Sequence, residues 1–184
     1  MIAYAITDPS TLDFDTLEND LKYFSTLATM IVYRDKACKK YAQNAKTFLA
    51  HVKGFEKVLL HSDYLLAAKL HADGVHLTST QLDDIKKAKD LGLFVVASTH
   101  TQGEAQKAES FGADMITFSP IFKTPNKGKP VGIKCLKNVI SSLQIPVIAL
   151  GGIITQEQID SCVEVGAKGF ASIRYFERTF LSSL

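Results

Sequence analysis

The chain predicts a (β/α)8 barrel formed as one domain over residues 1–184, and three observations carry that expectation. Apolar runs rich in β-branched residues recur along the chain. Amphipathic stretches separate them. The runs are apolar on both faces, as in a parallel sheet covered on both sides. Eight units in 184 residues average about 23 residues, which is short for this fold and requires some brief helices. A doubly wound open sheet is the other arrangement that the alternation permits.

In order, the strands are predicted over Ile2–Thr7, Met30–Tyr33, Lys57–Leu60, Gly74–Leu77, Phe94–Ser98, Met115–Ser119, Val147–Leu150 and Gly169–Ile173. The helical stretches between them are Asp15–Ala28, Lys40–Val52, Tyr64–Leu70, Gln81–Leu91, Thr101–Phe111, Lys134–Leu143 and Gln156–Val165, and Tyr175–Leu184 closes the chain. Three segments echo one another, each joining a helix end to a strand start: His71-Ala72-Asp73-Gly74-Val75, Phe111-Gly112-Ala113-Asp114-Met115 and Val165-Gly166-Ala167-Lys168-Gly169. They fall on the N-terminal side of the strands, the stability face of a barrel, and receive no catalytic role. The longest irregular segment, Pro120–Ile133, follows the sixth strand and carries Lys123, Thr124, Asn126, Lys127 and Lys129, as a substrate lid would.

Composition narrows the function classes. Hydrophobic content of 46% and charged content of 22% are those of a globular core-forming chain. A formal charge of +2 with no long basic run argues against nucleic acid. No apolar run approaches the roughly 20 residues that a membrane helix needs. The N-terminal residues lack the charged and apolar regions of a signal peptide. Cys38, Cys135 and Cys162 are an odd set without metal-ligand spacing, so neither a disulfide scaffold nor zinc is expected, and a reducing cytoplasm fits.

The segment Pro146-Val147-Ile148-Ala149-Leu150-Gly151-Gly152-Ile153 ends a buried strand on two glycines, and Thr155 follows as a helix N-cap. Free backbone N–H groups and a helix N-terminus meet there, which suits a phosphate; a tight turn that binds nothing is the plainer reading. Residues following the other strands share that end of a barrel. Arg34 and Lys36 follow the second strand, His61, Ser62 and Asp63 the third, and His76 with Thr78 the fourth. Thr99 and His100 follow the fifth, and Arg174 the eighth. Cations and histidines outnumber carboxylates, a balance that favours a phosphorylated ligand. His100 is the best-placed proton carrier, with His61 and His76 as the other catalytic candidates. No His/Asp/Glu spacing forms a convincing metal site; Asp63 and Asp8 are the carboxylates placed to meet a magnesium ion.

Six motifs stand in the order seen in the thiamine phosphate synthase/TenI family, which the chain resembles from about residue 2 to residue 176. They are Arg34-Asp35-Lys36, Ala72-Asp73-Gly74-Val75-His76-Leu77, Ser98-Thr99-His100-Thr101, Gly112-Ala113-Asp114, Ser119-Pro120-Ile121-Phe122-Lys123-Thr124-Pro125-Asn126-Lys127 and the Gly151-Gly152 segment. The resemblance implies a (β/α)8 fold and one of two chemistries. The synthase joins hydroxymethylpyrimidine diphosphate to hydroxyethylthiazole phosphate, releasing diphosphate with magnesium present. TenI-type relatives aromatise a thiazole carboxylate phosphate by proton transfer. By resemblance, Arg34, Lys36 and Lys127 hold a diphosphate, with Thr124 in the same loop segment. Gly151 and Gly152 hold the thiazole phosphate, and Arg174 adds a phosphate contact or blocks that site.

The chain departs from the synthase pattern at chosen points. Val32 stands in place of a Gln. His61-Ser62 replaces Asn-Asp, and Thr78-Ser79-Thr80-Gln81 replaces Gly-Gln-Glu-Asp, so both usual magnesium aspartates are missing. The TenI branch places its proton-moving histidine where this chain has Pro120. The expected function is therefore a TenI-like, metal-independent thiazole isomerase with no cofactor. A magnesium-dependent synthase using Asp63 or Asp8, or a non-catalytic regulator binding thiamine phosphates, are the alternatives. The expected partner is a small phosphorylated thiazole or thiamine phosphate; apolar helix faces leave a homodimer open.

Overall fold

The computed structural model describes residues 1–125 and 127–177. Its strands are β1 (Ile2–Ile6), β2 (Met30–Tyr33), β3 (Lys57–His61), β4 (Gly74–Leu77), β5 (Phe94–Thr99), β6 (Met115–Phe118), β7 (Val147–Leu150) and β8 (Gly169–Ser172). All pair in parallel, in sequence order, and β1 pairs with β8 to close the barrel, Ile2 opposite Gly169 and Ala5 opposite Ser172. The expected (β/α)8 barrel is the fold, and that last pairing excludes the open sheet.

The helices among the described residues are α1 (Leu17–Leu27), α2 (Tyr41–His51), α3 (Tyr64–Lys69), α4 (Ile85–Asp90), α5 (Gln102–Ser110), α6 (Gly132–Ser141) and α7 (Gln156–Glu164). The brevity required by the chain length falls on α3 and α4, six residues each. Thr101 starts α5 and Thr155 starts α7 through capping boxes with Glu104 and Gln158, each hydroxyl accepting the N–H three residues on. The expected helix over Gln81–Leu91 is instead a 3-10 segment, Ser79–Asp84, followed by α4. The break sits at Gln81 (φ −112°), whose side chain turns back to Ser62 and Thr78. Of the expected Tyr175–Leu184 helix, the described part is a 3-10 turn, Arg174–Phe176, and residues 178–184 lie outside the described residues.

Strand alternation sorts the side chains into two layers. Tyr4, Ile6, Met30, Val32, Leu59, Val96, Met115, Ile148 and Ala171 fill the barrel. Their strand neighbours, such as Ala5, Ile31, Val75, Ala97, Ile116 and Ala149, pack outward against Phe24, Phe48, Ile85, Leu136 and Ile159 of the helices. Both faces of every strand are therefore buried, as the apolar runs require.

The sequence echoes have a structural role at the N-terminal rim. Asp73, just before β4, accepts the Val58 N–H of β3 at 2.7 Å, and Asp114, just before β6, accepts the Val95 N–H of β5 at 2.7 Å. Thr29, just before β2, accepts the Ala3 N–H of β1 at 3.2 Å. The same clamp thus holds three of the four successive strand pairs and fails in the fourth, where the position before β8 is Lys168, a side chain with no acceptor. Lys89 adds an ion pair to Asp114 at 2.7 Å.

Candidate functional site

A cavity of about 720 Å³ opens at the C-terminal ends of the strands. Period-two alternation builds its floor, because the inward residue at or just beyond the end of each strand reaches it. These residues are Ile6, Arg34, His61, His76, Ser98, Ser119, Leu150 and Ile173. The loop after β4 adds Thr78, Ser79 and Thr80. The loop after β6 adds Pro120, Thr124, Lys127, Gly128 and Lys129, and the turn after β7 adds Gly151. The long loop thus folds over the mouth, held by Ile121 N–H to the Leu150 carbonyl and Phe122 N–H to the Gly151 carbonyl, both at 2.9 Å.

The lining carries Arg34, Lys36, Lys127 and Lys129 and no Asp or Glu. None of the ion pairs found among the described residues involves these four cations. Their mutual repulsion is felt locally: Arg34 first, then burial and Lys127, pull the Lys36 ammonium below its ordinary pKa. Burial first, then Arg34 and Lys36, push His61 down to about 4. His76 falls to about 3, from burial and then from His61 and Arg34. Both imidazoles are neutral at pH 7, and the cations give the pocket a concentrated positive field. A smaller cavity, about 320 Å³, lies beside Asp13, Asp20 and Glu177, and among the described residues its lining has no cationic side chain.

The three histidines differ in how their nitrogens are used. His76 is 3% exposed, with Nδ1 2.9 Å from the Tyr4 hydroxyl and Nε2 2.9 Å from Ser98 Oγ. His61 lies beside it, ring centroids 6.0 Å apart, half-buried on the floor. His100 is exposed, and its Nδ1 sits 2.9 Å from the Ser119 carbonyl. A carbonyl only accepts, so Nδ1 carries a hydrogen and Nε2 is the ring nitrogen left to face the cavity.

The Gly151-Gly152 turn adopts φ +97° and +73°. A Cβ on Gly151 would stand 2.7 Å from Pro120 Cα, and one on Gly152 would stand 2.6 Å from the Lys123 carbonyl oxygen. Among the described residues no acceptor is recorded for either glycine N–H, whereas Ile154 and Thr155, further along the turn, donate to Gln158 Oε1. Two backbone donors are thus free for an anion beside the α7 N-terminus.

The structure brings Arg34, Lys36, His61, His76, His100, Thr124, Lys127 and Gly151 around one cavity. Gly152 lies directly behind Gly151, and Arg174 opens the 3-10 turn after β8, neither of them in the lining. Ser98, Ser119 and Lys129 had not been singled out as site residues. The signal for the two serines was strand parity, since each stands two residues beyond an inward-facing one. Asp63 is the N-cap of α3, its carboxylate accepting the Leu66 N–H at 2.8 Å. Asp8 accepts from Ser10 in its own turn.

The magnesium implied for a synthase does not fit these residues. At the two positions where aspartates are replaced, Ser62 Oγ donates to Gln81 Oε1 at 2.7 Å, and Gln81 Nε2 donates to the Ser62 carbonyl at 2.9 Å. A neutral, mutually satisfied pair offers a hard dication nothing to compare with carboxylates. Among the described residues no group of three or more His, Cys, Asp or Glu side chains could hold a metal ion.

Fold and pocket together give a (β/α)8 barrel whose C-terminal mouth gathers side-chain cations, two glycine N–H groups and histidines. The family model described as thiamine monophosphate synthase matches residues 3–176. A relative from Aquifex aeolicus, named "Putative thiamine-phosphate synthase 2", is 37% identical over 94% of this chain and 96% of its own length. The thiamine-phosphate synthase of Syntrophomonas wolfei is 30% identical over 92% of this chain and 85% of its own. The solved thiamine phosphate pyrophosphorylase from Pyrococcus furiosus superposes with a TM-score of 0.80 at 24% identity, covering 99% of this chain and 96% of that one. The chain belongs to the thiamine phosphate synthase/TenI family, a family of thiamine biosynthesis. No helix among the described residues is long and apolar enough to cross a membrane.

Proposed function

We propose that this protein is a metal-independent, TenI-like isomerase of a thiazole phosphate. The observation that carries the reading is the Ser62–Gln81 pair, a neutral contact at 2.7 Å where a metal-assisted release of diphosphate would need carboxylates. An isomerisation has no leaving group and needs none. The phosphate is held by the Gly151 and Gly152 N–H groups, and the ring lies over the floor of the cavity. His100, fixed through Nδ1 on Ser119, uses Nε2 to take a proton from a ring carbon, and the imidazolium then returns that proton to the ring's other acceptor atom. Arg34, Lys36 and Lys127 stabilise negative charge that develops meanwhile.

The retained Arg34, Lys36 and Lys127 cluster favours a second reading, a synthase in which side-chain cations alone meet the diphosphate. One assay separates them. Purified protein is given the thiazole carboxylate phosphate tautomer, and separately hydroxyethylthiazole phosphate with hydroxymethylpyrimidine diphosphate, each with magnesium or with chelator. Turnover of the tautomer in chelator is the expected result. Magnesium-dependent thiamine phosphate formation without tautomer turnover overturns it. Binding with no turnover of either substrate leaves the regulator. Full tautomer turnover by His100→Ala removes His100 as the proton carrier.

A further inference from the structure

From beneath the pocket floor up to its surface, three polar side chains from three strands form a line. Tyr4 of β1 is wholly buried, stacks on His76 with ring centroids 5.6 Å apart, and places its hydroxyl 2.9 Å from Nδ1. On the other side of the ring, Nε2 is 2.9 Å from the hydroxyl oxygen of Ser98, which lines the cavity. The positions of the hydrogens follow from elimination. Burial keeps the Tyr4 phenol protonated and the His76 imidazole neutral, so one ring nitrogen donates and the other accepts. Among the described residues His76 Nδ1 is the acceptor recorded for the phenol. Were Nδ1 the donor, the phenol hydrogen would be buried with nowhere to go. Nδ1 therefore accepts from Tyr4, and Nε2 carries the ring proton and donates it to Ser98 Oγ. With its oxygen already accepting, the Ser98 hydroxyl keeps its own hydrogen for the cavity.

We propose that Tyr4 and His76 are positioning residues that fix Ser98 as a hydrogen-bond donor to the bound ligand. The pocket then selects a ring bearing an acceptor there, an unprotonated ring nitrogen or a carboxylate oxygen, and disfavours one that presents an N–H. Neither Tyr4 nor His76 need touch the ligand. The inference rests on the barrel mouth being the ligand site, as in the reading above, and is independent of the reaction carried out there.

Two measurements test it. Long-range proton–nitrogen spectra of the free wild-type protein are expected to show His76 as the Nε2–H tautomer; the Nδ1–H tautomer overturns the relay. Calorimetry with hydroxyethylthiazole phosphate then tests coupling. Ser98→Ala is expected to weaken binding about tenfold, the worth of one good hydrogen bond. Tyr4→Phe is expected to weaken it severalfold, and Tyr4→Phe combined with Ser98→Ala no more than Ser98→Ala alone. Additive losses overturn the proposal, since a merely structural Tyr4 would act independently of Ser98. Should the wild-type protein not bind hydroxyethylthiazole phosphate, the functional reading falls, and the ring spectrum decides the relay by itself.

Discussion

Lowering the pH should unfold this protein through its pocket histidines. His61 and His76 have folded-state pKa values of about 4 and about 3, against 6.5 when exposed. A base with a depressed folded pKa is protonated more readily when unfolded. Its contribution to stability is therefore whole above pH 6.5 and is lost as pH falls toward the folded value. Between pH 7.5 and pH 5.0 the loss is 2.303RT times the logarithm of the ratio of the two protonation polynomials, about 2 kcal/mol for each histidine. The two together give about 4 kcal/mol, a large share of the 5–15 kcal/mol typical of a domain. Urea unfolding at the two pH values measures the difference directly. His61→Asn should remove about half of it, because the substituted side chain does not titrate. Inorganic pyrophosphate should reduce it in the wild-type protein, since an anion beside Arg34 and Lys36 offsets the field that depresses His61. A wild-type protein equally stable at pH 5.0 and 7.5, or a His61→Asn variant with an unchanged difference, would refute both the burial of these rings and the unpaired cation cluster.

Four further outcomes are expected. Gly152→Ala, at φ +73° with its Cβ 2.6 Å from the Lys123 carbonyl oxygen, should cost more than about 2 kcal/mol and weaken pyrophosphate binding, because backbone cannot yield as a side chain can. Gly103→Ala, whose Cβ would meet nothing within 4 Å inside α5, should instead stabilise by about 0.5–1 kcal/mol and serves as the control. Thr117→Val should stabilise by about 1 kcal/mol in thermal melts, since Thr117 Oγ1 is buried with no hydrogen-bond partner among the described residues and valine keeps its shape. Lys168→Asp should restore the missing fourth clamp, now to the Val147 N–H, and raise stability by about 1 kcal/mol; an unchanged melting temperature would show that the Asp73 and Asp114 bonds add nothing net.

The strands were legible because burial on both faces leaves a mark in every run: each expected strand lies within one residue of β1 to β8 at either end. The rim clamps were half legible, since Asp73 and Asp114 repeat at one offset from a strand, while the bonds they make reach back to the preceding strand. That residues at the strand ends would line one cavity was legible through position alone. What the chain did not disclose are contacts with no local period. Tyr4 and His76 meet across 72 positions, and Ser62 meets Gln81 across 19. The second of these also defeated the helix expected over Gln81–Leu91, because a glutamine bonded to a neighbouring loop leaves helical geometry. Asp63 read as a metal candidate from charge and position, yet a carboxylate one residue before a helix is equally a cap, and its geometry is that of a cap.

The Gly151-Gly152 turn shows how far one motif can carry a functional argument. Its glycines have a packing reason independent of any ligand: a side chain at either would strike the loop after β6, which folds over the pocket. The plain-turn explanation is therefore sufficient for the residue types, and it does not compete with anion binding. The loop that demands the glycines is the one that carries Thr124, Lys127 and Lys129 to the mouth. Close approach of the two segments sets two free N–H groups on the same rim as side-chain cations, with no carboxylate in the lining to neutralise them. An anion bound there would be met from both segments at once, so tight packing and charge recognition would follow from one geometry.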